Sequence, residues 1–173
     1  MVSENLHGPT PPDHSPSRLP SLGRRGGGWV ALQIAVLALA IAAGVLGPAW
    51  PSATNPWLPA WGGVTALAGV GLLVGGGVGL GPQLTPFPKP VEDGSLRRDG
   101  VYALVRHPIY GGALVAVAGW ALLSSPLVLL PLVLAAVFFD AKRRREEAWL
   151  LERHPDYPEY RRQVPRRFIP WLW

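Results

Sequence analysis

"IYGGALVAVAGWALLSSPLVLLPLVLAAVFF", residues 109 to 139, runs 31 residues with no charge. That is long for one membrane span and short for two, and the choice decides the architecture. A single helix would carry the basic C-terminal segment to the side opposite the other basic stretches, against the tendency of Lys and Arg to stay cytoplasmic. "LLSSPL" at residues 122–127 offers a break, because Pro126 has no amide to donate and Ser124 and Ser125 can cap. Two helices of some 15 residues rise only ~22 Å each, short of the ~30 Å hydrocarbon core. They form a hairpin if each extends past the apolar run. The second does so in "DAKRRREEAWLLERHP", good helix-forming sequence up to Pro155.

Working outward, two further apolar runs precede the hairpin: Trp29 to Leu46 and about Leu58 to Leu80. The first is as long as a true span and lacks a convincing cleavage site, so it reads as a span and not a signal peptide. Between them "GPAWPSATNPWLPAW" carries four prolines, three tryptophans and no charge, which suits the outer membrane interface. The "GVGLLVGGGVGLG" stretch of the second run lacks bulk and lets a neighbouring helix approach its backbone. Residues 1–28, rich in Pro, Ser, Gly and His without a hydrophobic period, read as a disordered cytoplasmic tail. Residues 29–173 then form a single domain. The expected fold is an all-α integral membrane protein of about four transmembrane helices, the last two a hairpin, with a helical cytoplasmic C-terminal extension.

Composition agrees. Of 173 residues 49% are hydrophobic and 16% charged, against about 25% charged in soluble domains. There is no Cys, which excludes disulfides, thiolate zinc sites and cysteine nucleophiles; no metal is expected. The net charge of +5 is explained by topology and not by nucleic acid. Three of the 16 basic residues precede the first run, four lie between the second and third, and nine follow the last. That distribution predicts an even number of spans with both termini cytoplasmic. The excess of Arg over Lys, with abundant Ala, Gly and Pro, suggests a GC-rich source genome and hence a bacterial inner membrane.

Two polar constellations stand at helix ends. In "RRDGVYALVRHPIYGG", residues 97–112, Pro108 occupies a helix start, with Arg106 and His107 before it and Tyr102 and Tyr110 on either side. A helix N-terminus beside a guanidinium suits a carboxylate, and the rings suit a flat base or a cation; an interfacial anchor reads equally well from these residues alone. In "AKRRREEAWLLE", Arg143 and Glu147 share one helical face, as an ordinary solvated ion pair also would. Both lie at the cytoplasmic ends of the hairpin's helices, so they should converge on one pocket. The preceding loop "PQLTPFPKPVEDGSLRRDG" is too long for a turn. His154–Pro155 reads as a helix stop.

"DGVYALVRHPIYGG", the apolar hairpin broken at Pro126, and "RRREEAWLLERHPDYPEYRRQVPRRFIP" together resemble the isoprenylcysteine carboxyl methyltransferase family, over about residues 83–170. That family is related to membrane phospholipid N-methyltransferases. The resemblance implies an S-adenosylmethionine-dependent transferase acting on a lipid-like, isoprenoid or acyl substrate, with a carboxylate as the expected acceptor. It implies cofactor contacts from Gly94, Ser95, Leu96, Arg97, Tyr102, His107, Pro108, Ile109 and Tyr110, and from Glu147 on the opposing helix. Arg143 would meet the substrate, so Arg143 and Glu147 are the expected catalytic pair. Family members that methylate protein C-termini often carry more than four spans. A carboxylate acceptor needs a positioning cation and no base; an amine acceptor needs a proton acceptor, Glu146 or Glu147. A sterol-type NADPH reductase and a non-enzymatic membrane protein are the other classes this pattern admits. The expected partners are the bilayer and a lipophilic small molecule, with no nucleic acid and no obligate protein partner.

Overall fold

The computed structural model describes residues 26–51, 56–88 and 94–172. Nearly all of the expected N-terminal tail, residues 1–25, lies outside the described residues. The described residues are helical, with no strand among them. Helices α1 (Gly27–Leu46) and α2 (Leu58–Leu80) coincide with the first two apolar runs, α1 starting two residues before Trp29. Both are long and apolar enough to cross a membrane, α2 together with the 3₁₀ turn Gly81–Gln83 that extends it. Only 22% and 11% of their most apolar stretches are buried, so neither is the core helix of a soluble domain.

The decisive stretch breaks where the serines and proline stand. Helix α3 (Pro108–Leu123) ends at Ser124, and a 3₁₀ turn, Pro126–Val128, leads into α4 (Leu129–Arg153). Ser125, fully buried, caps the turn by accepting from Leu127 N at 3.2 Å. Ser124 Oγ returns its proton to Trp120 O at 2.6 Å. Helix α3 is apolar but shorter than a full span. A fifth helix, α5 (Tyr157–Gln163), follows the stop at His154.

The glycines of α2 set the helix packing. Gly62, Gly69 and Gly76 recur every seven residues and are its buried positions. A Cβ on Gly69 would stand 2.3 Å from Ala116 N, one on Gly112 2.5 Å from Leu73 N, and one on Gly119 2.3 Å from Ala66 N. The contacts descend along α3 as they ascend along α2, so the two helices pack antiparallel with their backbones touching, as small residues permit. Helix α1 closes on α4 from the other side. Trp29 meets Phe138 at 5.7 Å between ring centroids, and Ala40 and Ala43 pack against Val128 and Ala121. This arrangement brings the N-terminal end of α3, the polar half of α4 and the C-terminal tail together.

Candidate functional site

Pro108 opens α3 with His107 as its N-cap residue. The segment before it is shaped by a 3₁₀ turn, Gly100–Ala103, whose Gly100 sits at φ 58°, the left-handed region that favours glycine. The C-terminal tail then pairs with the motif through main chain: Arg106 N donates to Arg166 O at 3.1 Å and His107 N to Arg167 O at 2.8 Å. Arg106 adds two bonds from Nη1, to Val164 O at 2.7 Å and Pro165 O at 2.8 Å. Tyr160 Oη donates to Tyr102 O at 2.7 Å, and Tyr102 Oη to Gly76 O at 3.2 Å. Tail, motif and α2 are thereby held as one wall.

Glu147 is the hub of this wall. Its Oε1 accepts from Arg106 Nε at 3.1 Å and lies 3.0 Å from His107 Nε2; its Oε2 accepts from Arg143 Nη1 at 3.2 Å. All four side chains are almost completely buried. Burial pushes the Glu147 carboxyl up, but the His107 hydrogen bond and the charges of His107, Arg106 and Arg143 outweigh it and bring the group down to about 2. A carboxyl whose folded value lies below its unfolded value of 4.5 contributes stability in full above that value. We therefore expect the melting temperature of the detergent-solubilised protein to hold down to about pH 4.5 and fall as pH drops toward about 2. A Glu147→Gln variant should lack this component of the acid slope.

Beside the hub a cavity of about 380 Å³ opens, within the range of small-molecule sites. Gly94, Ser95, Leu96 and Arg97 form one side, Tyr102, His107, Pro108, Ile109 and Tyr110 another. The family resemblance implied cofactor contacts for all nine, and the fold gathers all nine on one cavity. Glu147 and Arg143 do not line it. Residues four apart on α4 share a face, and the cavity-facing set is Lys142, Glu146 and Leu150. Arg143 and Glu147 lie on the adjoining face, where Arg143 is also held by Asp140 at 2.6 Å. Glu147 organises the wall from behind, and Glu146 is the carboxylate on the cavity side. Glu146 Oε2 accepts from Tyr110 Oη at 2.7 Å and lies 3.7 Å from His107 Nδ1.

Sequence reasoning missed Lys142, Gln33, His154, Tyr157 and Tyr160, which also line the cavity. Lys142 is 1% exposed; it donates to the Gln33 side chain and, at 2.9 Å, to Pro86 O, and its Nζ stands 5.2 Å over the Tyr110 ring. No carboxylate among the described residues forms an ion pair with it. The four-residue spacing of Lys142 to Glu146 was the signal available for it. Lys142 lies three residues beyond Phe139, the last residue of the apolar run. Burial draws its ammonium down, opposed by the Glu146 charge, to about 8. Two polar atoms of cavity-lining residues are buried without a partner among the described residues: Arg97 Nε and Tyr157 Oη. Burial pushes the Tyr157 phenol well above its ordinary range, so it remains a proton donor.

Residues 78–153 match the model of the isoprenylcysteine carboxyl methyltransferase (ICMT) family. Over these residues the chain is similar to that family, and the match together with the exposed apolar helices supports a membrane methyltransferase. No curated protein matches the chain.

Proposed function

We propose that the chain is an S-adenosylmethionine-dependent methyltransferase that acts on a membrane-dissolved acceptor bearing a carboxylate and an isoprenoid or acyl tail. The observation that carries the reading is the cavity itself, whose walls hold an unpartnered arginine donor, an unpartnered phenol and a carboxylate among apolar and aromatic residues. These fit the cofactor's chemistry: Arg97 would take its carboxylate, Glu146 would balance its positive charge, and Pro108, Ile109 and Leu150 would pack on its flat base. When bound, the cofactor supplies a methyl group already activated on a sulfonium.

The chain's own residues then have two tasks, alignment and exclusion of water. The pairing of residues 106–107 with 166–167 keeps the tail folded over the motif. Lys142, the buried cation on the cavity wall, takes the acceptor's carboxylate, the role that the resemblance implied for Arg143. Four spans with both termini cytoplasmic place Lys142 and the cavity at the cytoplasmic surface, where a lipid head group can reach them. An amine acceptor would use Glu146 as its proton acceptor instead.

Incubating the protein with methyl-labelled S-adenosylmethionine and a lipid extract of its host tests this reading. Label should appear in the organic phase and be released as methanol by mild base, as a methyl ester requires. Lys142→Met should abolish turnover with little loss of cofactor binding, and wild-type activity should fall as pH rises through about 8. Base-stable label would mean N-methylation, and no label at all would contradict the proposal.

A further inference from the structure

A second concavity, of about 500 Å³, lies on the other side of the Arg106–Glu147–Arg143 cluster and shares only Arg106 with the first. Its walls are arginine-rich: Arg143 and Arg144 of α4, Arg161 of α5 and Arg167 of the tail, with Glu147 as their carboxylate. Asp140 engages Arg143 at 2.6 Å, Arg144 at 2.7 Å and Arg167 at 3.7 Å, so one carboxylate is shared by three guanidinium groups. Arg161 is exposed and forms no ion pair with a carboxylate among the described residues. Positive charge is therefore in excess.

Position and shape narrow the ligand. Asp140 follows directly on Phe139, so the cluster begins where the apolar run of α4 ends, at head-group depth for a helix that enters the bilayer. Among the described residues no aromatic one lines the concavity, which suits a compact anion and not a heterocycle. Guanidinium forks match phosphate oxygens in pairs, and the cytoplasmic leaflet supplies anionic phosphodiesters at this depth. We propose that this cleft binds the head-group phosphate of an anionic phospholipid, at a site separate from the methyl-transfer cavity. The proposal rests on the membrane setting and not on the identity of the methyl acceptor.

Native mass spectrometry of the full chain in detergent, titrated with phosphatidylglycerol and with phosphatidylcholine of equal acyl length, tests it. The anionic lipid should be retained at least about tenfold more tightly, the factor one charged hydrogen bond commands. Arg144→Gln combined with Arg161→Gln should erase the preference, as should Arg161→Glu alone. Both positions are exposed, and S-adenosylmethionine binding should be unchanged in each variant, which separates this result from failure of the transferase reading. An equal preference in wild type and variants would overturn the site. Saturable binding of inorganic phosphate with no preference between the two lipids would overturn the lipid assignment.

Discussion

Glu147→Ala should lower the folding stability of the protein by about 3–5 kcal/mol, the cost of leaving buried charges without their partner. The reason is local. Arg106 and Arg143, 7% and 6% exposed, both lose their shared acceptor, and His107 loses the atom 3.0 Å from its Nε2. Arg106 keeps two tail carbonyls and Arg143 keeps Asp140, so the damage is partial and the chain should still insert. Cofactor affinity should fall as well, because His107 lines the cavity and would no longer be oriented. Glu146→Ala should show the opposite balance, with weaker cofactor binding and little change in unfolding. Chemical denaturation in mild detergent, run beside cofactor titration, separates the two. A Glu147→Ala protein within about 0.5 kcal/mol of wild type, the range of an ordinary surface change, would remove Glu147 from the centre of the wall.

Gly111→Ala is the second large effect. A Cβ at this position would lie 1.8 Å from Phe168 O and 2.6 Å from its carbonyl carbon. Both atoms are backbone, so no rotamer change relieves the clash, and the tail has to lift. Overpacking of this kind costs about 1–3 kcal/mol, occasionally more. Lifting the tail also strains the bonds from Arg106 N and His107 N to residues 166 and 167. Limited trypsinolysis should then cut at Arg161, Arg162, Arg166 or Arg167 faster than in wild type. Gly63→Ala serves as the control, since nothing lies within 4 Å of its Cβ position. Equal cleavage rates in the Gly111 and Gly63 variants would show that the tail is not docked on α3.

The same contacts explain what the sequence disclosed and what it withheld. Runs of apolar residues without charge are conspicuous, so α1 and α2 could be bounded closely, and a proline after two serines marked the end of α3. The start of α3 at Pro108 was equally legible, because proline is tolerated at a helix's first turn. The adjacent acids were not. Glu146 and Glu147 are 100° apart on a helix, and only the packing of α4 decides which one meets the cavity. The docking of the tail was hidden for another reason: on the tail's side the acceptors are main-chain carbonyls of residues 164–167, which leave no side-chain signature. Gln33 and Pro86 reach Lys142 from far along the chain, over separations of 109 and 56 residues, and no local pattern reports such contacts.

The central claim is that the cavity beside the RHP motif, residues 106–108, holds S-adenosylmethionine. Isothermal titration of the purified protein with S-adenosylmethionine, and in parallel with NADPH, tests it most directly. Saturable one-to-one binding of S-adenosylmethionine, weakened by roughly ten- to a hundredfold in Glu146→Ala as expected for one charged hydrogen bond, with no heat from NADPH, is the predicted result. Saturable NADPH binding without S-adenosylmethionine binding, or S-adenosylmethionine binding unaltered by changes at both Glu146 and Arg97, would contradict it.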